Sequence, residues 1–160
     1  MHKGMAVLQT AALQAKPSMP GLELTIVDSK LDGSDRFQTT WGQIPVEFVP
    51  PVPMAQMDYF YKQHDVLIAP SIWPESYGLV TREALSAGLW VVASATGALA
   101  DPIRHGENGH VITAGDASEL RFVLEELALH HPTPQLLISF RIDQTPLHKE
   151  LDQRYQNLLK

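Results

Sequence analysis

The chain has 160 residues, 44% of them hydrophobic and 19% charged, and a formal net charge of −6. That balance excludes a disordered chain, and the acidity leaves no electrostatic footprint for nucleic acid or an anionic membrane. There is no cysteine, which excludes disulfides, thiolate catalysis and the cysteine-based zinc modules. The length fits one domain with one core. No apolar run approaches the ~20 residues of a membrane span. The start, Met1-His2-Lys3-Gly4-Met5, lacks the pattern of a secretory signal, and a cytoplasmic chain is expected. Twelve prolines, several between positions 45 and 74, argue against a helical bundle.

In chain order, apolar residues at Met5, Leu8, Ala12 and Ala15 predict a helix over 4–15. Leu22–Val27 alternates and is β-branched, which predicts a strand. Residues 28–44 are polar and contain glycine, and are expected to form a long loop. Val46–Val49 reads as a short strand stopped by Pro50-Pro51, and Met54–His64 has helical spacing. Val66–Ala69 reads as a buried strand closed by Pro70. A helix is predicted over 78–87 with Gly88 as its stop, followed by an apolar strand over 89–94. Residues 99–104 suit a short helix, and Gly106 and Gly109 bracket a turn before a strand over 110–113. Asp116 to His130 is a helix capped by Asp116 or Ser118. Residues 1–131 are expected to form the domain, with 132–160 a linker and a terminal helix over 144–159 that packs back on it through Tyr155, Leu158 and Leu159. Strands alternate with helices, and two strands have no polar face. That pattern predicts an α/β fold with a doubly wound parallel sheet, whose ligands bind at the carboxyl ends of the strands.

The loop after Ala69 carries the chemistry. It runs Pro70-Ser71-Ile72-Trp73-Pro74-Glu75-Ser76-Tyr77-Gly78-Leu79-Val80-Thr81-Arg82-Glu83-Ala84. A helix starting at Gly78-Leu79-Val80 offers unpaired backbone N–H groups and its positive dipole end, which suits a phosphate. Thr81 could add a hydroxyl there. Glu75 and Glu83 would repel a phosphate, and an ionised carboxylate accepts hydrogen bonds well from sugar diols. Phosphate and diols together suggest a nucleotide sugar. The Glu-x7-Glu spacing is weak alone, since roughly half of one such pair is expected by chance at this composition.

The wider context resembles the retaining glycosyltransferases of family 4 (group 1), of GT-B architecture, in their C-terminal, donor-binding half. Pro70-Ser71, Glu75, Tyr77-Gly78-Leu79, Glu83-Ala84, Gly88 and Val91-Val92-Ala93-Ser94 fall in the family's order. Gly97, then Gly106-Glu107-Asn108-Gly109, resembles its turn before the last strand, and His2-Lys3-Gly4 its lysine-glycine helix start. The resemblance implies donor-binding roles for Lys3 on the diphosphate, for the backbone of Gly78, Leu79 and Val80 and the adjoining Tyr77 and Thr81, and for Glu83 on the ribose. Glu75 is the implied catalytic residue, holding hydroxyls of the transferred sugar. It implies sugar transfer with retention from a nucleoside-diphosphate sugar, without metal or cofactor, in bacterial surface polysaccharide assembly. The protein would be cytoplasmic or peripheral to the inner face of the membrane.

Two departures stand out. The family's first strand and its diphosphate-binding arginine would precede Lys3, and neither is present; and the family's glycine-rich turn after the second strand, on the side of the base, is replaced by Val27-Asp28-Ser29-Lys30-Leu31-Asp32-Gly33. The N-terminal acceptor domain is also missing, so the expectation is half an enzyme that partners an acceptor domain in a longer or separate chain. By itself it would transfer nothing. The alternatives are a non-catalytic nucleotide-sugar-binding module or scaffold, and an unrelated doubly wound protein. The second lacks support, since neither Gly-x-Gly-x-x-Gly after a strand nor a P-loop occurs. Seven histidines include the adjacent pair His130-His131, poorly placed for chelation on a helix, and no metal site is expected. Trp41, Trp73 and Trp90 read as core or loop anchors, and Arg82 as one half of a surface ion pair.

Overall fold

A computed structural model of the chain describes residues 3–16 and 21–130. The segment 132–160, for which a linker and terminal helix are expected, lies outside the described residues, as do His2 and His131. Helix α1 spans Met5–Gln14 and buries Leu8, Ala11 and Ala12, an i, i+3, i+4 stripe. Strand β1 is Leu24–Val27, two residues shorter than the alternation predicts.

The expected loop over 28–44 contains a strand. Residues Phe37–Trp41 form β2, which pairs antiparallel with β3, Ile44–Val49, across the turn Gly42-Gln43. Its sequence, Phe-Gln-Thr-Thr-Trp, is mostly exposed because it forms a sheet edge, and only Trp41 reaches the core. A one-residue apolar signal is too faint for periodicity, although Thr-Thr-Trp before a glycine turn is strand-like chemistry. Strand β3 begins earlier than predicted and includes Pro45. The Asp28 N–H donates to the Val49 carbonyl; alternation then turns Pro45's missing donor toward β1, whose pairing starts only opposite Val46.

The predicted helix over 54–64 shortens to a 3-10 turn, Met54–Gln56, and α2, Met57–Tyr61. Strand β4, Val66–Ala69, is followed by α3, Leu79–Ser86, and β5, Trp90–Ser94. No helix forms over 99–104. The Ala98 N–H donates to the Glu75 carbonyl at 2.7 Å and Leu99 is fully buried, so tertiary packing holds this stretch as turns. Strand β6 is Gly109–Ile112. Helix α4, Ala117–Leu129, is capped by Asp116, which accepts from the Ser118 and Glu119 N–H groups.

The parallel sheet is present as two halves, ordered β1-β3-β2 and β4-β5-β6, with β2 antiparallel at the outer edge. Helices cover both faces. Val92 and Ile112 pack under α1 and α4 with Leu24, Ile26 and Val46 of the other half, whereas Val91 and Ala93 face Ala84 of α3 and Tyr61 of α2. Glu125 of α4 is buried, and it accepts hydrogen bonds from the Lys16 backbone N–H at 3.1 Å and from Arg121 at 3.0 Å, tying the end of α1 to α4. Trp41 is core, Trp90 is half-buried and Trp73 is 58% exposed.

His110 on β6 is buried, and its Nδ1 accepts from the Trp90 indole N–H at 2.9 Å. Its Nε2 faces Glu126 at 3.6 Å, and its ring meets that of His105 edge-on. Burial pushes its pKa below the usual histidine value, with His105 adding to the effect and Glu126 opposing it. The unfolded chain therefore binds this proton more readily than the folded one. Stability from His110 is complete above about pH 6.5 and is lost as pH falls below that toward the folded pKa. Thermal unfolding measured at pH 8 and pH 5 should show a smaller acid-induced loss in His110→Gln than in the wild type. Equal losses would show that His110 stays uncoupled from folding.

Candidate functional site

The loops at the carboxyl ends of β4 and β5 meet the start of α1. Gly4 lies against the Pro70 carbonyl at the end of β4, which brings Lys3 over the loop. The Lys3 ammonium pairs with Glu75 Oε1 at 2.5 Å. The lysine side chain is 79% exposed and the carboxylate 24%. Such a pair is worth about 0–1 kcal/mol, little enough for an arriving anion to exchange it.

Glu75 is held by its backbone. It pairs with Gly97 in an isolated parallel bridge, and a Cβ on Gly97 would come within 2.4 Å of Glu75 main-chain atoms. Gly78 caps α3 in the left-handed region, at φ 63°, and a Cβ there would lie 2.6 Å from the Ala98 carbonyl oxygen. Both glycines let the 95–99 stretch back directly onto the 75–78 loop. Thr81 is fully buried and its hydroxyl donates to the Gly78 carbonyl at 2.8 Å. That turns it inward as a brace for the turn, away from the phosphate-facing place the sequence suggested.

The first intrahelical bond of α3 runs from the Arg82 N–H to the Gly78 carbonyl, and no side chain caps the helix. The N–H groups of Leu79, Val80 and Thr81 therefore remain unpaired at the positive end of the dipole. Glu83 follows one turn later, half-buried, and Oε2 accepts from the Tyr61 hydroxyl at 3.2 Å. Burial first, then the Glu83 charge, pushes the Tyr61 pKa up to about 12. Tyr61 thus stays a donor at any physiological pH and fixes one oxygen of Glu83. The sequence reading passed over Tyr61 except as a helix-face residue, since nothing local links α2 to α3.

Tyr77 is 44% exposed, and the Arg82 guanidinium stacks 4.7 Å from its ring centroid. Arg82 also reaches Asp101 at 3.9 Å, so it is both a surface ion pair and a rest for Tyr77. Ile72, Trp73 and Leu79, in the same loop and helix start as Tyr77, are also exposed. An open cavity of about 1000 Å³ is lined by Ser29–Gly33, Val49–Pro53 and Tyr59, at the carboxyl ends of β1 and β3. No three His, Asp or Glu side chains converge as a metal site among the described residues.

The sequence profile of "Glycosyl transferases group 1" matches residues 2–138. The chain belongs to the group 1 glycosyl transferases. This glycosyl transferase chain is 34% identical over 126 residues to the phosphatidyl-myo-inositol mannosyltransferase of Mycobacterium leprae, covering 79% of this chain and 34% of that protein. It is 39% identical over 82 residues to the D-inositol 3-phosphate glycosyltransferase of Thermomonospora curvata, covering 51% of this chain and 19% of that one. Among solved structures, sucrose-phosphate synthase from Thermosynechococcus elongatus superposes with a TM-score of 0.70 at 21% identity, over 99% of this chain and 43% of that one. Anabaena Alr3699/HepE in complex with UDP-glucose superposes with a TM-score of 0.67 at 19% identity, over 98% and 46%. These two likenesses show the fold, half of a GT-B glycosyltransferase. The chain spans about a third or less of these curated relatives and just under half of the solved chains.

Gly78→Ala adds a Cβ in a left-handed conformation against backbone. Its cost should exceed the about 1–2 kcal/mol of the conformation alone, seen as a lowered midpoint in urea unfolding. An unchanged midpoint would show that the turn relaxes freely.

Proposed function

We propose that this chain is the donor-binding half of a retaining glycosyltransferase that moves a sugar from a nucleoside diphosphate to an acceptor. The observation that carries this reading is the grouping of one exposed cation, Lys3, an uncapped helix start at Leu79 and Val80, and two carboxylates, Glu75 and Glu83, in one loop system.

Each group has a task in the proposal. The diphosphate sits on the α3 N–H groups, and Lys3 leaves Glu75 to meet it. As the bond from the anomeric carbon to the diphosphate oxygen breaks, that oxygen takes the electron pair, and Lys3 with the helix start stabilises the charge. The acceptor hydroxyl oxygen bonds to the anomeric carbon on the same face, and its proton passes to the departing diphosphate. Glu75, released from Lys3, accepts hydroxyls of the transferred sugar and positions it. Glu83, oriented by Tyr61, accepts the ribose diol. The open cavity along 29–33 and 49–53 receives the base. The acceptor is bound by a complementary half outside this chain, in a longer polypeptide or a separate one, and exposed Ile72, Trp73 and Tyr77 are where the two halves close. We place the reaction in assembly of bacterial surface glycans, a reading that rests on the form of the Trp73-Pro74-Glu75-Ser76 loop.

The experiment is calorimetric titration with UDP, GDP and ADP and their nucleosides. One diphosphate should bind. Lys3→Ala should weaken the diphosphate about tenfold and leave its nucleoside unaffected, whereas Glu83→Ala should weaken both about tenfold, the scale of one charge-assisted hydrogen bond. If no nucleoside diphosphate binds, or if Glu83→Ala binds as the wild type does, the assignment fails. The chain alone should give no turnover with a nucleotide sugar, and robust release of diphosphate would contradict the need for a second half.

A further inference from the structure

The wall of the cavity at the carboxyl ends of β1 and β3 is rich in main-chain acceptors. Residues 50–53 read Pro-Pro-Val-Pro and line it. Proline has no N–H, so the only main-chain donor of this stretch is that of Val52. The Pro53 carbonyl accepts from the Gln56 N–H at 2.8 Å, and the Val49 carbonyl just ahead accepts from the Asp28 N–H at 2.8 Å. The Val52 N–H and the carbonyls of Pro50, Pro51 and Val52 make no hydrogen bond among the described residues. Three free acceptors and one free donor therefore lie on a stretch that prolines stiffen.

The loop after β1 adds one charge of each sign. Asp32 is exposed, and its Oδ1 accepts from the Gly33 N–H at 2.7 Å, which leaves Oδ2 as a free acceptor. The Lys30 ammonium makes no ion pair among the described residues, whereas Arg36 is held by Glu47 at 3.1 Å. Tyr59, 70% exposed, and Phe60 line the same cavity and offer aromatic surface to a planar ring. A nucleobase would meet this wall with its hydrogen-bonding edge. Uracil presents a single N–H between two carbonyl oxygens, so most of its edge would face groups of its own kind. Adenine puts an amino group at the position where a cation or an N–H needs an acceptor. Guanine presents N1–H and a 2-amino group as donors, with O6 and N7 as neighbouring acceptors. Its pattern is the complement of the wall.

We propose that this cavity selects guanine, so that the donor is a guanosine-diphosphate sugar. The inference rests on the proposed function, in which the cavity receives the base, and adds the identity of that base. Asp32 and the free carbonyls of residues 50–52 accept from N1–H and the 2-amino group, and the Val52 N–H and Lys30 donate to O6 and N7. A base that sets a donor against a donor, or an acceptor against an acceptor, loses a hydrogen bond and keeps the cost of desolvation, about tenfold in affinity for each.

The test is calorimetric titration of the 160-residue chain with the diphosphates of guanosine, inosine, adenosine, uridine and cytidine. GDP should bind at least about tenfold more tightly than ADP, UDP or CDP. Inosine diphosphate, which lacks only the 2-amino group, should bind about tenfold more weakly than GDP. That comparison needs no variant, so it is independent of folding. Asp32→Asn keeps an oxygen for the Gly33 N–H and replaces the free acceptor with a donor. It should weaken GDP about tenfold and leave the thermal midpoint unchanged, because the side chain is exposed. UDP, ADP or CDP binding as tightly as GDP overturns the choice of guanine and leaves the proposed function standing. Equal binding of inosine diphosphate and GDP, or wild-type GDP binding by Asp32→Asn, overturns it in the same way. If none of the five binds, the proposed function falls and this inference falls with it.

Discussion

Among the described residues no strand ladder joins the two half-sheets, and what they share is the apolar layer beneath α1 and α4. Leu24, Ile26 and Val46 from one half and Val92 and Ile112 from the other press against the same two helices, and Glu125 with Lys16 pins those helices to each other. Packing of this kind is non-directional and scales with area, so it can hold the halves together without specifying a strand between them. The directional contacts are elsewhere. They sit at the carboxyl ends of β4 and β5, where backbone meets backbone at Glu75–Gly97 and Gly78–Ala98.

That division of labour explains the site. A helix start can receive an anion only if its amides are unobstructed, and here glycine at the cap and an inward-turned Thr81 keep Leu79 and Val80 clear. The carboxylates are held by opposite means. Glu75 is fixed through its main chain by Gly97, with its side chain on exposed Lys3, whereas Glu83 is fixed through its side chain by Tyr61. The overall field of a net −6 chain opposes an anion, so the proposed diphosphate site has only these few local groups to draw on.

The family membership of the chain and its limited span are two sides of one fact. The matched region carries the whole motif from Pro70 to Gly109, within about a third of the length of the mycobacterial relative. Among the described residues, β1 and β4 are each paired on one side, and Trp73 and Tyr77 are exposed.

Much of this was legible in the residues. Fully apolar β4 and β5, the Gly78 helix start and the Asp116 cap are local signals, and each formed within a residue or two of its expected bounds. Local chemistry also brought Glu75, Gly78 and Glu83 into one candidate loop. What misled was context. β2 is an edge strand whose polar residues carry no periodicity, and 99–104 has helical composition but is held as turns by Ala98 and buried Leu99. Only the tertiary structure could pair Lys3 with Glu75 across 72 positions, set Tyr61 on Glu83, and turn Thr81 inward. By itself the sequence determined the elements and the motif, because those rest on neighbours along the chain; the geometry of the site depends on contacts between distant segments, which no local pattern encodes.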